Sequence, residues 1–177
     1  MADLLSELAR DIDRACRLTG TFTLRSGQVA TEYFDKYLFE SDPHLLRRVA
    51  ESMVPLIPED TDLLGGLELG GIPLATMLSS LTATPALFVR KKAKEYGTKR
   101  LAEGADVDGR RVPLVEDIIT TGGAVRDATL ALREAGATVE AVVCAIDRSP
   151  NPGDALSDVD LTTRYLLTRA DLDRAHA

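Results

Sequence analysis

The run VPLVEDIITTGGA at residues 112–124 places two carboxylates before a loop of threonines and glycines. Its first four residues predict a strand that ends at Glu116 and Asp117, and a helix is predicted after the loop. The backbone N–H groups and hydroxyls of residues 120–123 could bind one anion, which the dipole of the following helix also favours. The carboxylates would repel that anion, but they could accept hydrogen bonds from hydroxyls of an attached sugar. The pattern therefore predicts a site for a ribose 5-phosphate.

Other interpretations of this loop fit less well. Asp117 and the threonines could merely cap the helix and form the turn, but the apolar strand and the acidic pair before them favour a ligand site. The loop lacks the lysine of a P-loop and the glycine spacing of a dinucleotide-binding fingerprint. Ligands of open α/β sheets bind at the carboxyl ends of strands, which is where this loop is expected to lie.

Residues 90–100, RKKAKEYGTKR, hold six of the 21 lysines and arginines of the chain. So much like charge in 11 positions is unfavourable unless an anion neutralises it. Gly97 and Gly104 would allow the segment to move, so we predict a lid over a highly charged group such as a diphosphate. A solvated basic loop is the alternative. Nucleic acid is a poorer match, because Tyr96 is the one aromatic residue of the segment and the whole chain is acidic.

Length and composition predict one soluble globular domain. The chain has 177 residues, of which 45% are hydrophobic and 28% charged, and its net charge of −7 argues against a nucleic-acid or membrane-surface protein. Cys16 and Cys144 are far apart and are expected to be reduced thiols in the core of a cytoplasmic protein. With two histidines, His44 and His176, a histidine-rich metal centre or a Ser-His-Asp triad is not expected. We identify no export signal and no membrane span.

The N-terminal part of the chain predicts helix, hairpin and helix. Apolar residues from Leu4 to Cys16 fall on one helical face, and Gly20 is expected to end that helix. Two short strands are predicted around a turn at residues 26–27. The run Ser41-Asp42-Pro43 predicts the start of a second helix, which should continue to Pro55.

From residue 62 onward, strands and helices alternate. Strands are predicted at 62–64, 86–89, 112–115, 139–146 and 165–167, with helices at 73–81 and 123–135 and a short polar helix at the end. The run at 139–146 is almost continuously apolar, as in a strand buried on both faces. The fold class is therefore α/β, with a central, mostly parallel sheet flanked by helices.

The strand, acidic pair and TTGGA loop resemble the signature of phosphoribosyltransferases that use phosphoribosyl diphosphate (PRPP). Within that superfamily the chain is similar to the orotate phosphoribosyltransferases. The matching runs are FTLRSG (22–27), YFDKYLF (33–39), GLELGGIPLA (66–75), FVRKKAKEYGTKRLAEG (88–104) and IDR (146–148). The resemblance implies a single phosphoribosyltransferase domain over residues 1–177, with residues 1–42 contributing a hood over the base site. It also implies transfer of the 5-phosphoribosyl group from PRPP to orotate, giving orotidine 5-phosphate and diphosphate in pyrimidine nucleotide synthesis.

The resemblance also implies roles for individual residues. Lys94 and Asp117 would be catalytic. PRPP would be bound by Arg90, Lys91, Lys94, Tyr96, Glu116, Asp117, Ile118, Ile119, Thr120, Thr121, Gly122, Gly123 and Ala124. Orotate would contact Thr120, Arg148, Arg25 and Phe34. Mg²⁺ would be held mainly by PRPP, with no direct protein ligand. The enzyme would be a cytoplasmic homodimer in which the basic loop acts on the partner's site, without nucleic-acid or membrane partners.

Three positions depart from the pattern of this family. Tyr96 stands where histidine is common, Leu69-Gly70 replace a frequent Tyr-Lys pair, and Arg25 stands where many relatives have lysine. A phenol donates a hydrogen bond but is a poor proton shuttle near neutral pH. Two other functions stay open from the sequence. One is a phosphoribosyltransferase for another base, and the other is a non-catalytic regulator that senses PRPP or a nucleotide.

Overall fold

The computed structural model describes residues 2–23, 27–92 and 101–176 of the chain. Arg25 and residues 93–100, including Lys94 and Tyr96, lie outside these ranges. The helices are α1 (Ala2–Cys16), α2 (Tyr37–Ser41), α3 (Pro43–Met53), α4 (Gly71–Thr82), α5 (Gly123–Glu134) and α6 (Arg169–His176). The strands are β1 (Arg17–Thr23), β2 (Val29–Phe34), β3 (Leu64–Leu67), β4 (Ala86–Val89), β5 (Ala102–Glu103), β6 (Leu114–Ile119), β7 (Ala141–Asp147) and β8 (Thr162–Thr168).

The main sheet has six strands in the order β5-β4-β3-β6-β7-β8. All neighbouring pairs are parallel except β4 and β5, which are antiparallel. This confirms the predicted α/β class with a mostly parallel sheet. Because β3, β4, β6 and β7 run in the same direction, their carboxyl ends meet at one edge, where a ligand is expected.

Helices cover both faces of this sheet. One apolar cluster packs α1, α3 and α4 against residues such as Val115 and Val143, and the other packs α5 against residues such as Leu114 and Val142. The side chains of alternate residues in β6 and β7 therefore pack into the two apolar clusters on opposite faces of the sheet. All seven residues of β7 are buried, as its apolar run predicts.

The N-terminal residues form a helix and a separate hairpin, β1–β2, as predicted. The prediction that Gly20 ends the first helix is wrong, because α1 ends at Cys16 and Gly20 lies within β1. Arg17 pairs with Phe34 across the hairpin, and its guanidinium contacts Asp13, so the strand begins directly after the helix. Tertiary pairing here takes precedence over the local signal of a glycine.

Two strands of the main sheet are displaced from their predicted positions. β3 covers 64–67 rather than 62–64, because Asp62 and Leu63 instead bond to the Arg111 carbonyl before the sheet begins. β6 covers 114–119 rather than 112–115, so Glu116 and Asp117 lie inside the strand and do not follow it. In the described parts of the chain, no helix has the length and apolarity that crossing a bilayer requires.

Candidate active site

The loop between β6 and α5 turns sharply at Gly122. This residue has a φ of 72°, in the left-handed region that favours glycine. A side chain there would also strike Leu156, which packs under the loop. The first bond of α5 runs from Arg126 N to the Gly122 carbonyl at 2.9 Å. The amides of residues 123–125 consequently have no partner within the helix, as in the first turn of any α-helix.

These amides open onto a cavity of about 620 Å³ at the carboxyl edge of the sheet. Gly123 and Ala124 are exposed and form one wall, and the opposite wall carries Glu68 and the residues 90–92. Leu67, Val89, Leu101 and Ala128 are the main apolar residues of the lining. One cavity thus contains both elements that the sequence predicted to bind phosphates, the helix N-terminus and the start of the basic segment. Thr120 and Thr121 are exposed beside it.

The start of the basic segment is anchored by backbone contacts. Lys91 N donates to Glu68 Oε1 at 2.9 Å, and Arg90 N donates to the Leu101 carbonyl at 2.9 Å. The Nε atom of Arg90 is buried and has no hydrogen-bond partner among the residues that the structure describes. A buried donor without a partner is unfavourable, so an acceptor in the cavity would satisfy it. An anionic oxygen fits this position.

The two predicted sugar-binding acids lie at the same edge but are buried. Asp117 has no exposed surface, and Glu116 is 8% exposed. Asp117 Oδ1 accepts from Ile118 N at 2.6 Å, and Glu116 Oε1 accepts from Asp117 N at 3.0 Å. Their binding to ribose hydroxyls stays a prediction, as do the individual roles of Ile118, Ile119 and the loop residues.

Two further residues, which the sequence did not single out, complete this acidic cluster. Lys36 Nζ lies 2.5 Å from Asp117 Oδ2, and Glu40 lies one turn along α2. Both belong to the run YFDKYLFE, in which their spacing of four places them on one helical face. That spacing is the one sequence signal that groups Lys36 with Glu40. It does not predict that this helical face packs against β6, about 80 residues later in the chain.

The cluster contains three carboxyl groups with different protonation preferences. Burial raises the pKa of Glu40 to about 9, and the neighbouring Asp117 adds to this effect. Burial also raises the pKa of Glu116 well above its ordinary value. For Asp117, hydrogen bonding with Glu116, Glu40 and Lys36 outweighs burial and lowers the pKa. Asp117 is therefore the member of the cluster that loses its proton most readily.

Three of the predicted base-binding residues, Phe34, Thr120 and Arg148, lie close together, and Arg25 lies outside the described residues. The Arg148 guanidinium lies 5.1 Å from the ring centroid of Phe34, a cation–π contact. Arg148 N donates to the Ile119 carbonyl at 2.8 Å, which places the residue next to Thr120. Asp147 does not pair with Arg148, since its carboxylate accepts from Ser149 N and Gly153 N.

Arg148 also borders a smaller cavity of about 150 Å³, together with Tyr33 and Phe34. Arg17 and Arg169 line it as well, and both are paired with acids of the same lining, Glu32 and Asp173. Burial lowers the pKa of Arg148, and the positive charges of Arg169 and Arg17 lower it further. The guanidinium group of Arg148 is half-buried, so an anionic ligand would stabilise its charge. This environment is compatible with the carboxylate of an acidic base.

Comparison with known proteins agrees with this geometry. A model of the phosphoribosyl transferase domain matches residues 43–162. The chain is 73% identical to an orotate phosphoribosyltransferase of Nocardioides sp. over 168 residues, which are 95% of this chain and 94% of the relative. The chain belongs to the orotate phosphoribosyltransferases. The family resemblance in the sequence is thereby confirmed.

Solved structures of this family share the fold. Mycobacterium tuberculosis orotate phosphoribosyltransferase in complex with Fe(III) dicitrate superposes with a TM-score of 0.85 at 34% identity, covering 96% of this chain and 98% of that one. The same enzyme in complex with PRPP gives a TM-score of 0.80 at 31% identity, covering 96% and 99% of the two chains. As an orotate phosphoribosyltransferase, the chain has the type I phosphoribosyltransferase fold.

Proposed function

We propose that this enzyme transfers the 5-phosphoribosyl group from PRPP to orotate, forming orotidine 5-phosphate and diphosphate in pyrimidine nucleotide synthesis. The observation that carries this function is the 620 Å³ cavity, in which the N-terminus of α5 faces the basic residues 90–92. PRPP has a phosphate at one end and a diphosphate at the other, so a cavity with two separate anion-binding walls suits it.

The N-terminus of α5 would hold the 5-phosphate. Its free amides, with the hydroxyls of Thr120 and Thr121, can donate to the phosphate oxygens, and the helix dipole adds positive potential. Asp117 and Glu116 lie inside β6, the strand that leads into this loop. From there they would bind or orient the ribose hydroxyls.

The basic segment would stabilise the leaving diphosphate. In the reaction a ring nitrogen of orotate, which has lost its proton, forms a bond to ribose C1, and the bond from C1 to the diphosphate oxygen breaks, with its electron pair leaving on the diphosphate. Arg90 and Lys91 are at the cavity wall. Lys94 and Tyr96 lie outside the described residues, and we propose that Lys94 approaches the reacting centre. Fixed cations that meet developing negative charge lower the barrier of such a step.

Phe34 and Arg148 would bind the base, with Arg25 and Thr120 as further contacts. The orotate carboxylate would neutralise the guanidinium group of Arg148. Closure of the basic segment would exclude water, which otherwise competes with orotate for the ribose. These assignments make the site selective for an acidic base.

We propose Mg²⁺ as the cofactor, held mainly by diphosphate and ribose oxygens. The carboxylates of Glu68 and Asp127 border the cavity, and oxygen donors of this kind suit a hydrated Mg²⁺ ion. When bound, the ion would neutralise charge on the diphosphate.

We further propose a homodimer in which the basic loop of one subunit acts on the site of the other, in the cytoplasm. Both cysteines are free and buried, as suits a reducing compartment.

A turnover assay with PRPP, Mg²⁺ and a panel of bases tests this function. Diphosphate release is expected with orotate and not with uracil, adenine or hypoxanthine. Turnover with another base but not with orotate would assign a different phosphoribosyltransferase. Tight PRPP binding without diphosphate release from any base would indicate a regulator instead.

A further inference from the structure

Lys36 joins the N-terminal hairpin region to the strand that carries the sugar-binding acids. It is the N-cap residue of α2 and lies two residues after Phe34, the last residue of β2. Its Nζ lies 2.5 Å from Oδ2 of Asp117. The Lys36 side chain is 32% exposed and the Asp117 side chain is fully buried, so the lysine reaches inward from the surface to the carboxylate.

A carboxylate in this environment needs a positive partner. Asp117 is fully buried, which disfavours its charge, and hydrogen bonds with Glu116, Glu40 and Lys36 offset this cost. Ionisation of an unpaired buried carboxylate is strongly unfavourable, and the group would take up a proton instead. Among the described residues, Lys36 is the cation in ionic contact with it.

The turn before α4 cannot provide this cation. Gly70 packs directly against Asp117, and a Cβ atom at that position would overlap the carboxylate and approach Glu40 Oε1 to 2.8 Å. Leu69, its neighbour, is largely exposed. The space beside Asp117 is thus closed from the turn and open to a side chain from α2, which Lys36 fills.

We propose that Lys36 is a positioning residue for phosphoribosyl transfer, which holds the Asp117 carboxylate charged and fixed within β6, the strand that leads into the TTGG loop. The inference rests on the proposed function for its substrate, PRPP. Lys36 acts through Asp117, whose Oδ1 is fixed in turn by Ile118 N. Because Lys36 follows the strand of Phe34, it also connects the predicted base site to the predicted ribose site.

The test is a double-mutant cycle on PRPP binding, measured by calorimetry in the presence of Mg²⁺. Lys36→Met removes the charge and keeps most of the side-chain length, and it should weaken PRPP binding about tenfold or more. Asp117→Asn should weaken it as well. In Lys36→Met/Asp117→Asn the two losses should be far from additive, because the lysine has no carboxylate left to position. Lys36→Arg retains the charge and should restore binding to within about threefold of the natural chain.

Two controls separate positioning from loss of fold. Arg47→Met removes an exposed cation from α3, where it pairs with Glu51, and should leave PRPP binding unchanged. Thermal unfolding of each variant checks the fold, and the double variant should be at least as stable as Lys36→Met, since it leaves no unpaired buried charge.

Unchanged PRPP binding in Lys36→Met would overturn the proposal. Fully additive losses would also overturn it, since Lys36 would then contact substrate independently of Asp117. The proposed function fails separately, if the natural chain binds PRPP but does not transfer its sugar to orotate. In that case the double-mutant cycle on PRPP binding still tests whether Lys36 acts through Asp117.

Discussion

Arg126 donates from Nη1 to the carbonyl oxygen of Thr121 at 2.5 Å, joining the first turn of α5 to the loop before it. The same guanidinium donates to the Ala155 carbonyl and forms a bidentate pair with Asp158. One side chain therefore holds the anion-binding loop against the turn at 155–158. The hydrogen bond to Thr121 thus fixes the position of the loop relative to the first turn of α5.

Arg126→Met should raise the KM for PRPP roughly tenfold or more, because a loop displaced by a fraction of an ångström no longer directs its amides at the phosphate. Steady-state kinetics with PRPP as the varied substrate measure the effect. Arg133→Met is the matched control. Arg133 lies two turns later in α5 and also donates to backbone carbonyls, but at residues 139, 159 and 160, away from the loop. An equal rise in KM for both variants would contradict a specific role of Arg126.

Gly70 should not tolerate alanine. Because Gly70 has no side chain, Asp117 and Glu40 can pack directly against its backbone. A Cβ atom at this position would overlap Asp117 and push the acidic cluster apart. Gly70→Ala should lower the free energy of unfolding by about 1–3 kcal/mol, the usual range for overpacking, and should weaken PRPP binding. Urea unfolding measures the first effect and calorimetry the second.

Gly123→Ala provides the comparison for stability. A Cβ at Gly123 would meet nothing within 4 Å, and this residue is the first of α5. Its replacement should leave the free energy of unfolding unchanged or slightly higher, since alanine restricts the unfolded chain. If Gly70→Ala proved as stable as Gly123→Ala, the packing around Asp117 would be looser than described.

Sequence patterns predicted the parallel sheet because its signals are local. The apolar run of β7 and the capping side chain of Asp42 each act within a few residues, and both elements form where expected. The neighbours of Asp117 could not be predicted in the same way. Lys36, Glu40 and Gly70 come from two other elements, and their contacts depend on how α2 packs against the turn before α4. Gly20 is the opposite case. Its local signal predicts a helix end, but the residue lies within β1 because the strand pairs with β2.

Stability should fall with rising pH because of Glu40. Its pKa is raised to about 9 in the fold by burial and by Asp117, whereas the unfolded chain has an ordinary carboxyl value. Between those two values the folded state binds the extra proton, so the free energy of unfolding decreases as pH rises. Glu116, whose pKa is also raised, should lower stability in the same way as pH rises. The pKa of Asp117 is lowered, so its contribution to stability is lost only at acidic pH.

Glu40→Gln should therefore flatten the dependence of stability on pH between about 5 and 9, because glutamine imitates the protonated acid without titrating. Urea midpoints measured across this range give the slope. Glu134→Gln changes an exposed carboxylate at the end of α5 and should leave the slope as it is. A slope that stays the same in Glu40→Gln would assign the pH dependence to other groups.

Lys94 is expected to act on turnover more than on binding. If it stabilises the departing diphosphate, Lys94→Ala should lower kcat by about two orders of magnitude or more while the Kd for PRPP changes little. Lys92→Ala removes the same charge at the cavity wall and should lower kcat less. An unchanged kcat in Lys94→Ala would contradict the catalytic role.

Mixing two inactive variants then decides whether the basic loop acts in trans. A Lys94→Ala subunit has a defective loop and an intact Asp117, and an Asp117→Asn subunit has the reverse. In a dimer of the two, a loop that acts on the partner's site completes one site of the pair. Random subunit exchange at equal amounts should therefore restore about a quarter of the natural activity.

A loop that acts on its own subunit leaves every site with one defect. A mixture without activity would therefore show that the loop works in cis or that the subunits do not exchange. Co-expression of the two subunits with different tags allows the heterodimer to be purified, which removes the question of exchange. If this heterodimer is inactive, the loop acts in cis.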